Sequence, residues 1–187
     1  MSIVEVTGPS VEPVGLTEVK KHLRVSHDDD DEVIAELITA ARLTVERFTR
    51  RRLISQTVDL RRTGFGSFMR LPIAPVQSVS QITYLDLNGT SQVLATDQYR
   101  LVLDLQPAEV HPAAGVVWPS VQTEPDTVTV RLVVGYGDTV ESVPADLRVA
   151  IKLICMALYE NRGDAPAALQ GIPQTAVDLM QSHIFWV

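Results

Sequence analysis

Cysteine occurs once in the 187 residues, as Cys155. One thiol cannot close an internal disulfide, so burial and hydrogen bonding have to hold the fold. Its neighbours Ile154 and Met156 are apolar, a setting in which a thiolate is costly, and the residue reads as a buried, inert thiol. Long apolar runs are also missing: none approaches the roughly 18 residues of a membrane span. The opening stretch MSIVEVTGPS has neither a basic n-region nor an apolar h-region, so the expectation is a soluble protein made in the cytoplasm, with no membrane partner. Basic residues are in short supply, 16 against 23 acidic, for a net charge of -7. That balance argues against a protein whose main task is gripping phosphate backbones, and suits a surface past which DNA slides without sticking. No internal repeat, P-loop, Gly-x-Ser-x-Gly turn or dinucleotide fingerprint occurs, and no nucleophile, base and orienter form a recognisable set.

What is present is ordinary for a folded chain: 45% hydrophobic and 21% charged residues exclude wholesale disorder. The length suits one domain with a single good core. Residues 1–15, rich in Pro and Gly, read as an extended arm rather than a packed element. Thr17 is placed to cap a short helix over about 17–24. Ile34, Leu37, Ile38, Ala41, Val45 and Phe48 recur at three and four, which predicts a long amphipathic helix over about 29–50. The middle, about 53–136, breaks into short β-rich runs: 55–60, 68–71, 79–87, 92–94, 99–103 and 127–134. Asn88-Gly89 between two of them predicts a hairpin with a type I′ turn. Gly135-Tyr136-Gly137 closes the last strand. After it, about 144–162 forms a helix that is apolar nearly all round. One face carries Leu147, Ala150, Ile151, Ile154, Ala157 and Leu158, and the opposite side Val149, Leu153 and Met156, with Arg148, Lys152 and Tyr159 as a narrow polar edge between the ends. Such a helix needs cover on two sides, from its own domain and from a second copy or partner. The remaining segment, 163–187, predicts a short helix over 175–182, with Val177 and Met180 inward, and an apolar ending, Ile184-Phe185-Trp186-Val187. The expected class is α+β, a mainly helical core with an inserted small antiparallel β region.

Several residue groups invite chemistry and admit a plainer account. Asp28-Asp29-Asp30-Asp31-Glu32 offers oxygen ligands, but lacks the glycine and alternate spacing of a calcium loop; negative charge in a first helical turn explains it without a metal. His22, His27, His111 and His183 lie in separate segments without the spacing of a metal site. No cofactor is expected. Arg42, Arg47, Arg50, Arg51 and Arg52 could mark the end of a recognition helix in a small DNA-binding regulator, or a basic helix terminus paired with acidic neighbours. Ile184, Phe185, Trp186 and Val187 either fold back on the core or insert into a partner groove.

Many short segments, in order, resemble the head-tail connector, or adaptor, family of long-tailed bacteriophages and gene transfer agents. They include Leu16 to Arg24 (LTEVKKHLR), Ala40-Ala41-Arg42, Leu53 to Thr57 (LISQT), Leu71 to Val79 (LPIAPVQSV), Ile82 to Leu85, Trp118-Pro119, Gly135-Tyr136-Gly137, Val143-Pro144-Ala145 and Leu158 to Arg162. The resemblance implies a non-enzymatic adaptor at the neck of a virion or phage-like particle made in a bacterial host. It also implies a twelve-membered ring of identical subunits beneath the portal protein, which extends the DNA channel and carries a stopper or other tail component. In relatives the C-terminal segment contacts the portal, a position held here by Ile184 to Val187. The ring would cover Val149, Leu153 and Met156.

Overall fold

The structure is a computed structural model, and it describes residues 1–161 and 171–186. The chain divides into two compact units, one of residues 1–9, 55–135 and 186, the other of residues 10–54, 136–161 and 171–185.

The second unit is helical: α1 (Leu16–Leu23), α2 (Asp31–Thr49), α3 (Ala145–Glu160) and α4 (Gln174–Gln181). The three-and-four spacing on α2 brings Ile34, Ile38, Ala41 and Val45 to one face, where they meet Leu147, Ala150, Ile151 and Ile154 of α3 and Ala176 and Met180 of α4. Each buried Leu, Ile or Val contributes about 1.5–3 kcal/mol relative to exposure. Pro144 and Pro173 precede α3 and α4 with φ of -49° and -52°. The ring of each fixes that angle, and each carbonyl accepts an early helical N–H, from Arg148 (3.2 Å) and Val177 (3.1 Å). At the other helices the start differs from expectation. Gly15, not Thr17, is the N-cap residue of α1, and Asp30 at the start of α2 makes no side-chain capping bond.

The first unit contains β1 (Ser2–Thr7), β2 (Gln56–Arg62), β3 (Met69–Arg70), β4 (Val76–Leu85), β5 (Ser91–Val93), β6 (Tyr99–Val102), β7 (Glu109–Pro112) and β8 (Val128–Val134). They form a five-stranded sheet in the order β1-β2-β8-β4-β5 and a three-stranded sheet in the order β3-β7-β6, antiparallel throughout. Alternation on β8 sends Val128, Val130, Leu132 and Val134 inward and leaves Thr129 and Arg131 partly in water. Val130 sits opposite Leu60 of β2 and Ile82 of β4, and all three are fully buried. On the outer face Arg131 clamps Asp59 across the ladder with two bonds, 2.8 and 2.9 Å.

The α+β class stands, but the core is not mainly helical. The strands close a hydrophobic core of their own around Val58, Leu60, Phe65, Met69, Ile82 and Leu132, comparable with that of the helices. Residues Ser2–Thr7, expected as an extended arm rather than a packed element, are extended with exposed side chains and pair with β2. Strand β7 was not expected, because its proline and polar residues hide the alternation. The Asn88-Gly89 hairpin forms, but only Gly89 has positive φ (79°). Gly89 donates to the Asp86 carbonyl (2.9 Å), so a type I turn followed by a left-handed glycine replaces type I′. The Asp86 carboxylate stabilises this turn by accepting the Asn88 and Thr90 N–H groups at 2.9 and 3.0 Å. The Thr90 bond, with help from Gln92, holds its pKa below the usual carboxylate value.

Candidate interaction surface

The C-terminal segment is pinned within the helical unit by residues far apart in sequence. Arg51, just past α2, donates through Nε to the His183 carbonyl at 2.7 Å, and its guanidinium lies 5.8 Å from the Phe185 ring centroid. The Phe185 N–H donates to the Thr49 carbonyl at 2.9 Å. His183 Nε2 meets Asp146 Oδ2 of α3 at 2.6 Å. Burial alone would push the Asp146 carboxyl up, but the His183 contact and the Leu147 N–H outweigh it and hold the pKa low. Burial pushes the Tyr136 phenol up, with the Arg51 guanidinium pulling the other way.

The apolar ending therefore does not act as one block. Phe185 is 2% exposed and anchored in the chain's own fold, Ile184 is half-buried, and Trp186 is 77% exposed. Val187 lies outside the described residues, as does Arg162. An anchored Phe beside an exposed Trp presents a single large aromatic to water.

On α3 the expected two-sided character divides as well. Leu147, Ala150, Ile151 and Ile154 are in the core, whereas Leu153 is half-covered by the same unit and Met156 is half-buried. Val149 is 39% exposed. Leu158, expected on the inward face, is 40% exposed, because the helix carries it past the last core contact at Cys155. On α2, Val33 and Leu43 are similarly open.

Three of the five arginines have partners within the fold. Arg42 is only 7% exposed and bonds Glu12 (2.8 Å) and Glu46 (3.4 Å), while Arg52 approaches Glu46 at 3.5 Å. Glu46 also accepts the Leu53 N–H at 3.0 Å. Burial raises its pKa, and the Leu53 bond and the two arginines oppose that rise. With Arg51 holding His183, only Arg47 and Arg50 of the five are exposed. With Arg42, Arg51 and Arg52 engaged by internal partners, the exposed basic surface at the end of α2 is reduced to Arg47 and Arg50, which counts against the DNA-binding regulator.

The acidic run is likewise engaged in the fold. Lys20 bridges Asp28 and Asp31, each at 2.6 Å, and Asp30 accepts the Tyr159 hydroxyl at 2.5 Å. Among the described residues no group of three or more His, Cys, Asp or Glu is placed to hold a metal. His111 pairs with Glu109 (2.8 Å) under the stacked ring of Phe68, His27 lies 3.7 Å from Asp29, and His22 is exposed. Burial pushes the Cys155 thiol up to about 12, and its Sγ points at the Leu37 carbonyl (3.6 Å), so the thiolate is suppressed. Gly64-Phe65-Gly66 serves the core: Phe65 stacks on Trp118 with centroids 4.8 Å apart. Gly137 is required by space, since a Cβ there would meet Ser142 Oγ at 2.4 Å.

Sequence reading missed the Arg51–His183–Asp146 assembly, whose members are 132 and 37 residues apart. No local pattern announces such a set. It also missed Gln56, which is 4% exposed with neither side-chain polar atom paired among the described residues; nothing in its polar surroundings, Ser55 and Thr57, signalled burial.

Comparison with known proteins follows the same outline. Residues 14–86 match the family model described as "Phage gp6-like head-tail connector protein". No curated protein matches the chain. Three solved structures match all of this chain and 97% of theirs. They are the neck of an empty gene transfer agent particle with C6 symmetry (24% identity, TM-score 0.84), the virion of the native particle (27%, 0.81) and the neck of the native particle with C12 symmetry (26%, 0.82). The chain is thus similar to the head-tail connector family over residues 14–86 and, along its whole length, to chains of gene transfer agent particles.

Proposed function

We propose that this protein is a structural adaptor in the neck of a phage-like particle. In this reading twelve copies form a ring under the portal protein, extend the DNA channel, and carry a stopper or other tail component. The observation that carries it is the full-length likeness to gene transfer agent chains, two of them from the particle neck. The acidic balance fits a channel that releases DNA. Chemistry has no part in the proposed role, and the suppressed thiol of Cys155 agrees with that.

Within the proposed ring, Val149, Leu153 and Met156 form the subunit contact, centred on the exposed Val149. The portal contact uses Trp186, flanked by Ile184 and Val187, while Phe185 fixes the segment's direction from inside. Interface aromatics of this kind cost about 2 kcal/mol or more when truncated, roughly a thirtyfold loss of affinity.

The test is a pair of variants in particle preparations. Val149→Asp is expected to melt like the parent, since it alters an exposed position, yet to lose the ring by size exclusion and microscopy. Trp186→Ala is expected to keep the ring and occupy the neck at least tenfold more weakly. Normal neck occupancy by both variants would count against these contacts, and absence of the protein from the neck would remove the reading itself.

A further inference from the structure

Strand β1 stands apart from the rest of its unit. All six residues of Ser2–Thr7 have exposed side chains, with Ile3, Val4 and Val6 keeping 39, 40 and 45% of their surface in water. None enters the core cluster around Val58, Leu60 and Leu132. What holds β1 is its antiparallel ladder to β2, running from Ser2 opposite Arg61 to Thr7 opposite Thr57. Ladder bonds contribute about 0.5–1.5 kcal/mol each in net terms. With no side chain of β1 in the buried core, the strand is held by contacts that any β2 edge of the same sequence supplies equally well.

The tether behind β1 has the composition of a reaching segment. Immediately after the strand come Gly8, Pro9 and Ser10, and the chain is held again from Glu12, bonded to Arg42, and the buried Pro13. The chain changes unit at this point: residues 1–9 go with the strands, and Ser10 onward with the helices. Gly8 supplies rotational freedom, and Pro9 and Pro13 bias the residues before them toward extended backbone.

We infer that in the assembled ring β1 is exchanged between neighbours, pairing with β2 of the adjacent copy in the register it has here. This rests on the adaptor reading, because it requires a neighbour. The ladder itself names the occupant of the β2 edge, since β1 is the segment whose register on that edge is known. Exchange conserves every hydrogen bond and changes only the path of the tether, which makes it a low-cost route to association. It is also heterologous: each copy gives its arm to one side and receives one from the other, the arrangement that closes rings without a two-fold axis.

Two single variants test it, Ser2→Cys and Arg61→Cys, both at exposed positions that face each other in the ladder. The native Cys155 is buried and stays in place. In necks or rings assembled from a mixture of the two variants, mild oxidation is expected to give a species of twice the chain mass, absent when either variant assembles alone. The double variant is expected to give a covalent series longer than dimer in the assembled state and a closed monomer when free. A double variant that closes only within single chains in assembled rings, with no cross-link in the mixture, overturns the exchange. Engineered thiols that remain free in both states overturn it as well, since β1 then does not lie on β2. Necks filled normally by chains linked only to themselves leave the adaptor reading intact and remove the exchange alone, whereas empty necks remove the adaptor reading.

Discussion

Arg50 ends α2 in the left-handed region, at φ 56°, and Arg24 ends α1 the same way at 59°. A side chain with a Cβ is strained there, and glycine is the usual solution. Arg50→Gly is therefore expected to stabilise the protein by about 0.5–1 kcal/mol, read as a higher melting temperature. Gln56 carries the opposite kind of defect: its amide is buried with no partner for either polar atom. Gln56→Met keeps the volume and removes the unmatched groups, and about 1 kcal/mol of added stability is expected in urea unfolding. Neither position follows from composition. The left-handed angle and the missing partners exist only once the helix has ended and the strand has been buried.

At the scale of elements, the docking of the segment after α4 depends on ionised Asp146. Its folded pKa lies below the ordinary carboxylate value, so its contribution is fully present above the unfolded pKa and is lost as pH falls through the folded one. The protection factor of the Phe185 amide, which bonds the Thr49 carbonyl, is expected to drop in that acidic window. In Asp146→Asn it should already be reduced at neutral pH and respond much less to acid. Helices α2 and α3 were legible beforehand to within two residues at each end, because three-and-four periodicity is a local property. The strands of 55–60 and 127–134 were legible through alternation and β-branched residues. β7 was not, and β1 was read as an extended arm without its pairing, which depends on a partner strand about fifty residues away.

At the scale of the whole molecule, two hydrophobic cores in one chain replace the single core that length suggested. Leu132 lies wholly inside the β core. Leu132→Ala is expected to cost about 3 kcal/mol, with faster hydrogen exchange concentrated in residues 55–135 and little change in α2 and α3. The candidate site was legible in part. Exposed Trp186 and Val149 were named from sequence, and Phe185, next to Trp186 in the chain, proved to be an internal anchor. The arginines of α2 and just after it were equally visible, but which of them Glu12, Glu46 and His183 engage was not, since charge patterns do not disclose partners.

The sequence by itself determined the α+β class, the positions of the long helices and main strands, the inert single thiol, and the likeness to connector proteins. Those follow from residue type, short-range period and ordered short motifs, all of which survive in one dimension. Tertiary structure alone decided that the opening residues pair as a strand, that three of the five arginines find partners within the fold, and that only part of the aromatic ending faces water. Each of these depends on side chains or backbone groups meeting across 30 to more than 100 positions of chain, a proximity created by folding and carried by no local signal.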